Sequence, residues 1–164
     1  MSSVAKINLL DHFDGNQMLT IVCVDGKTVD ITVEFANTCK TICSCYSDSK
    51  SEHMPIKDVS SDHMKIFTEY FEWQKNVKRT DNEIDNTLKL IEFNNGREDK
   101  ICRELVYSAS YLDSDDLMHV FGCTIAHRMK GKTPEQLRVL LDVVDDFTPE
   151  EKAAMKKEEE WYKE

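Results

Sequence analysis

The chain has 164 residues, 40% of them hydrophobic and 32% charged, which is the balance of a globular fold with an apolar core. A formal net charge of −10 is repelled by phosphate backbones and anionic lipid, so nucleic acid and membrane are excluded as expected partners. No apolar run approaches the ~20 residues of a membrane span, and the opening MSSVAKINLLDHFDGNQ lacks the unbroken apolar stretch of a secretory signal, so the expectation is cytoplasm and/or nucleus.

Residues 1–17 read as a flexible leader. Met18–Val24 and Thr28–Val33 are β-branched and roughly alternating, and Asp25-Gly26-Lys27 between them predicts a hairpin, because Gly accepts positive φ without a Cβ clash. Thr38–Tyr46 predicts a short helix, and the polar Ser47–His53 a loop. Met54-Pro55-Ile56 suits an edge strand, since Pro cannot donate to a ladder. Ser60 predicts an N-cap for a helix whose apolar face carries Ile66, Phe67, Tyr70, Phe71 and Trp73. Gln74–Asn86 reads as a linker.

From Glu98 onward the pattern is wholly helical. Ile101, Cys102, Leu105, Val106, Ala109 and Leu112 form one stripe, and Met118, Phe121, Ile125 and Met129 another. Lys130-Gly131-Lys132 breaks the helix. Two matching helix starts follow: Thr133-Pro134-Glu135-Gln136 and Thr148-Pro149-Glu150-Glu151 each predict a capping box with Pro at the first helical position. From Pro134 to Glu164 ten acidic residues face five basic ones, so this segment supplies half of the net charge, as a solvated helix face or as a surface for a basic partner. The last helix has few apolar residues. Its Trp161 either docks on its own core or waits for a partner.

Chemistry-bearing motifs are missing. The five Gly residues are too scattered for a phosphate loop, and His12, His53, His63, His119 and His127 have no metal-ligand spacing. Cys39, Cys43 and Cys45 cluster, but no second CxxC or paired His completes a zinc shell. Without a secretory signal, the six cysteines read as reduced, small apolar groups. Cys102 lies between Lys100 and Arg103 yet on the apolar stripe, and reads as core rather than nucleophile. The expectation is a protein that is not an enzyme, with no catalytic residues, no metal and no cofactor.

Three stretches carry a family resemblance: VDGKTVDITVEFA (24–36), SASYLDSDDLMHVFGCTIAHRMKGKTPEQLR (108–138) and DDFTPEEKAAMKKEEEWYKE (145–164). The KGKTPE core, the DFT-x-EE segment and the terminal Trp at this spacing resemble the Skp1 family; residues 37–100 match weakly. The resemblance implies an α/β fold with a BTB/POZ-like domain (18–129), its small three-stranded sheet packed on helices, followed by two C-terminal helices (130–164). It also implies an adaptor that joins F-box proteins to a cullin of cullin-1 type, with ubiquitin transfer left to other subunits. Carried over position by position, Tyr111 matches a cullin-contacting Tyr, and Ser110 stands where an Asn is usual. Val106, Met118, Ile125, Met129, Pro134, Leu137, Leu140, Phe147 and Trp161 occupy F-box-contacting positions, which turns Trp161 toward an anchor.

The departures weigh more on the cullin side. There Ser110 replaces Asn, and Ser114-Asp115 replaces Ile-Lys, adding negative charge; on the F-box face Gly122 replaces a larger residue, and the family Trp has no counterpart near Leu88–Phe93. They motivate an alternative: a scaffold that keeps F-box partners, or self-associates as a homodimer through its BTB-like part, without a cullin.

Overall fold

A computed structural model describes residues 8–11, 13, 14, 16–51, 53–78 and 80–159. The chain forms two compact units, Met1–Lys130 and Gly131–Glu164. The first holds a three-stranded sheet of order β2-β1-β3, from β1 (Met18–Val22), β2 (Thr28–Thr32) and β3 (His53–Pro55). With it come helices α1 (Val33–Ala36), α2 (Lys40–Ser49), α3 (Ser61–Asn76), α4 (Glu83–Phe93), α5 (Asp99–Leu112) and α6 (Asp115–Met129). This is the mixed α/β architecture the sequence predicts.

Alternation along β1 sends Leu19 and Ile21 fully into the core and leaves Thr20 outside, where its hydroxyl donates to Asp30 of β2 at 2.8 Å. The hairpin turn uses Gly26 at φ +74°, closed by the Cys23 amide donating to the Lys27 carbonyl at 2.9 Å. Asp25 also accepts the Ser61 hydroxyl at 2.7 Å, tying the turn to the start of α3. The second predicted strand stops one residue early. Thr32 caps α1 by accepting the Phe35 amide at 3.2 Å, and Val33, Phe35 and Ala36 are buried as helix.

The predicted helix over 38–46 lies at 40–49 and takes in the start of the predicted loop; within it the Ser44 and Ser49 hydroxyls donate back to the carbonyls of Lys40 and Cys45, at 3.0 and 2.9 Å. β3 pairs in parallel with β1 as an edge strand, with Met54 buried opposite Ile21 and Pro55 opposite Val22. Ser60 caps α3 as predicted, accepting the His63 amide at 3.2 Å.

Two sequence expectations need correction. The 1–17 leader is not free along its described part: Leu9 is fully buried, its amide donates to Asn37 Oδ1 at 2.9 Å, and Phe13 packs edge-on against Tyr46 at 5.1 Å. The 74–86 linker shrinks to 77–82, because α3 runs on to Asn76 and Asn82 caps an unforeseen α4 by accepting the Ile84 amide at 3.0 Å. Asn86 folds this short connection back, its amide nitrogen donating to the Thr80 carbonyl at 2.7 Å.

The core joins sheet and helices through aromatic contacts. Phe67 meets Phe121 at 5.3 Å, Phe35 meets Phe71 at 5.4 Å, and Tyr70 meets Phe93 at 5.4 Å. A buried polar clasp holds the turn after α4 on α6. Asn94, fully buried, donates to the Thr124 hydroxyl at 2.9 Å, while Arg128 reaches both the Asn94 carbonyl (3.2 Å) and Asp99 (2.6 Å). Truncating a fully buried aromatic here removes both apolar burial and ring contacts, so Phe121→Ala should cost about 3–5 kcal/mol. Urea denaturation should show this as a lowered midpoint with little change in slope.

Candidate protein-docking surface

α5 ends where Asp113 adopts a left-handed conformation (φ +48°), its amide returning to the carbonyls of Ala109 and Ser110. That stop fixes Ser110 and Tyr111 beside α2. Ser110 is exposed; Tyr111 is half-buried against the core, and its carbonyl accepts the Thr41 hydroxyl at 2.6 Å. Lys40 places its ammonium 3.0 Å from Asp113 and 3.7 Å from Asp115. The hydrogen bond that Lys40 donates to Asp113 leads the influences that raise the Lys40 pKa. Asp115 does add exposed negative charge here, but Ser114 does not face solvent: it is 1% exposed, its hydroxyl beside the Cys39 thiol.

On α6 the predicted stripe of Met118, Phe121, Ile125 and Met129 splits between two faces. Leu117, Val120, Phe121 and Thr124 are buried, at the i, i+3, i+4, i+7 spacing of one face. The polar Thr124 masks that face in the sequence; its hydroxyl is satisfied by donating to the Val120 carbonyl at 2.9 Å. Met118 (37% exposed), Ile125 and Met129 (both half-buried) share a neighbouring face with Gly122. A Cβ at Gly122 would meet nothing within 4 Å, so the space over this stretch of backbone is open. Val106 of α5 is half-buried against the core.

The second unit contains α7 (Pro134–Leu141) and α8 (Pro149–Glu159). Both predicted capping boxes form. The Gln136 amide donates to Thr133 Oγ1 at 3.3 Å and the Thr133 amide to Gln136 Oε1 at 3.0 Å; Glu151 and Thr148 do the same at 3.3 and 2.8 Å. Between the helices, Asp145 bridges Lys152 at 2.7 Å and Arg138 at 3.9 Å. Phe147 sits under the Arg138 guanidinium, 5.9 Å from ring centroid to charge, yet stays 43% exposed.

Of the other carried-over positions in this unit, Pro134 is exposed and Leu137 half-buried. Leu140 differs from them: at 4% exposed, its side chain is a support and not free surface. Trp161 lies outside the described residues. The sequence reading missed Val139, Val143 and Val144, which are 81%, 55% and 81% exposed around a shallow depression of about 420 Å³. In their LRVLLDVV run Val139 lies on the exposed side of α7, while Val143 and Val144 follow the helix stop at Asp142 (φ +58°).

The thiols lie elsewhere. Burial pushes Cys39 up to about 12 and raises Cys43, Cys45 and Cys102, which keeps them protonated and unlike metal-ligating thiolates. Among the described residues, no three His, Cys, Asp or Glu side chains are placed to hold a metal ion.

The class that fold and surface define is a BTB-like α/β protein with helical extensions carrying exposed apolar side chains. Residues 115–162 match the family model described as "Skp1 family, dimerisation domain". The E3 ubiquitin ligase complex SCF subunit sconC of Talaromyces marneffei is 32% identical over 148 residues, 83% of this chain and 92% of that protein. SKP1-like protein 11 of Arabidopsis thaliana is 28% identical over 153 residues, 89% and 97% of the two chains. The chain belongs to the Skp1 family.

Two expectations follow from this geometry. Gly122→Ala should stabilise α6 by about 0.5–1 kcal/mol, since Gly loses more chain entropy in a helix and no neighbour obstructs the new methyl; thermal unfolding followed by circular dichroism measures it. The Glu151 carboxyl is held below the ordinary 4.5, first by the Thr148 amide it accepts. Its contribution is therefore complete above 4.5 and lost as pH falls through the lowered value. Amide-exchange protection at Thr148, Glu151 and Lys152 should fall in that acid range, and fall less in Glu151→Gln, which keeps a neutral acceptor as Gln136 does.

Proposed function

We propose that the chain is the adaptor subunit of an SCF-type cullin-RING E3 ubiquitin ligase, joining F-box proteins to a cullin of cullin-1 type for ubiquitin-dependent degradation. The reading is carried by the exposed apolar side chains on its capped C-terminal helices, together with relatives named as SCF subunits. Val106, Met118, Ile125 and Met129 of the first unit, and Pro134, Leu137, Phe147 and Trp161 of the second, are the proposed F-box contacts. Leu140, the remaining carried-over position, is buried. Ser110 and Tyr111 are the proposed cullin contacts. The role is one of coupled interfaces with no chemical step, and it belongs in the cytoplasm and/or nucleus.

Supporting this reading, α6 commits one face to the core and leaves Met118 exposed on a face where Gly122 carries no side chain and the space over it is open. Phe147 is held in place by Arg138 while its ring remains open to a partner. An aromatic ring positioned before binding loses little side-chain entropy on docking.

A second reading, a scaffold that binds F-box partners or itself without a cullin, is favoured by one observation. Asp113 and the strongly exposed Asp115 follow Tyr111 closely in the chain, and Lys40 pairs with both, at 3.0 and 3.7 Å.

Affinity purification of the tagged chain with mass spectrometry separates the two. The adaptor predicts F-box and cullin peptides together, with cullin alone lost on Tyr111→Ala. F-box peptides without cullin, or the untagged chain itself without cullin, would favour the scaffold, and recovery of none of these would remove both readings. Phe147→Ala should weaken F-box binding by about 2 kcal/mol if the ring is a hot spot, and calorimetric titration of a recovered F-box partner measures that loss.

A further inference from the structure

α4 has no buried residue, although its sequence EIDNTLKLIEF is rich in apolar side chains. Its inward side is only partly covered. Leu90 packs against the core, while Glu83, Asn86 and Thr87 line a cleft of about 210 Å³ together with Tyr70 and Trp73 of α3. On its other side Ile84 is 71% exposed and Leu88 47% exposed, with Ile91 half-buried one turn further on. The spacing 84, 88, 91 makes one continuous stripe along the helix. Isolated exposed apolar residues are ordinary, but three in register on one helix form a surface suited to another helix.

Charge decides what that other helix is. Asp81, Asp85 and Glu92 are all exposed, and Asp85 and Glu92, seven residues apart, run along one side of the stripe. The only cation on α4, Lys89, is engaged to the side, its ammonium donating to the Lys78 carbonyl at 2.8 Å. A second copy of the chain would bring the same acidic rim against this one, with a net charge of −10 behind each. We propose that α4 is a docking surface for an amphipathic helix of another protein, one whose apolar seam is flanked by Lys or Arg. Its seam covers Ile84, Leu88 and Ile91, and its cations meet Asp81, Asp85 and Glu92. None of these residues belongs to the proposed F-box or cullin contacts, so the surface serves an additional partner.

The test uses the full chain and a labelled helical probe about four turns long, with Leu on one face and Lys on both flanks. A twin probe carries Glu in place of each Lys. Fluorescence anisotropy should show the Lys probe binding at least tenfold more tightly than its twin. Hydrogen exchange should show protection gained in residues 81–92. Ile84→Ser with Leu88→Ser should weaken binding tenfold or more, and Asp85→Lys with Glu92→Lys should reverse the preference between the probes. Asp48→Lys with Glu158→Lys, an equal charge change elsewhere, should leave it unaltered.

The proposal is overturned by a Lys probe that fails to bind, by protection that appears outside α4, or by a control variant that shifts binding as much as the rim variant. Sedimentation showing a dimer of the chain that Leu88→Ser dissolves would assign the stripe to a second copy, and overturn it too. The comparison of the two probes on the unaltered protein stands whether or not any variant folds well.

Discussion

Phe67 of α3 and Phe121 of α6 are both fully buried and meet with ring centroids 5.3 Å apart. Tyr70, one turn on from Phe67, touches Phe121 at 6.3 Å and Phe93 of α4 at 5.4 Å. α3 is therefore the shared wall of the first unit: one part of it packs on β2 and Phe35, and another on the helical layer of α4 and α6. Each aromatic pair contributes about 0.5–1.5 kcal/mol beyond its area, so the junction is a substantial part of a marginal total. Fixing Phe121 inward fixes the rotation of α6 about its axis. With that rotation set, Met118, Ile125 and Met129 have to lie on an adjoining face, and the exposed surface of α6 follows from its core contact.

The same logic explains the polar clasp. Turning Phe121 and Val120 inward also carries Thr124 inward, where a hydroxyl without a partner would be costly. It bonds to the Val120 carbonyl and to Asn94, and Arg128 then closes on the Asn94 carbonyl and Asp99. A polar residue on the buried face thus fastens the turn between α4 and α5, with no apolar side chain needed there.

Features set by short-range chemistry were legible in the sequence. The Asp25-Gly26 turn, the Ser60 cap and the capping boxes at Thr133 and Thr148 depend on residues within a few positions of one another, and all form as read. The misreadings come from tertiary contacts. Leu9 is held by Asn37, 28 positions away, so no local pattern marks it as packed. α4 was hidden because its apolar residues serve two partly covered sides and so lack a clean single face. At the candidate site, the resemblance selected positions, whereas exposure was beyond it: Leu140 and Phe147 read alike in sequence, yet one is a support and the other remains 43% exposed.

The C-terminal unit shows why exposure and order coexist in this chain. α7 is eight residues long, below the ~12–15 at which an isolated helix holds in water. A large apolar base is one remedy, but it would consume the side chains that make the surface useful. Here local polar interactions take much of that load. A reciprocal cap starts each helix, left-handed Asp142 ends α7, and Asp145 bridges Arg138 and Lys152 across the connecting segment. Exposed ion pairs are individually weak, so the geometry rests on several acting together. Because order comes from the backbone caps and charges, Val139, Val144 and Phe147 can remain uncovered without the helices losing their starts and stops.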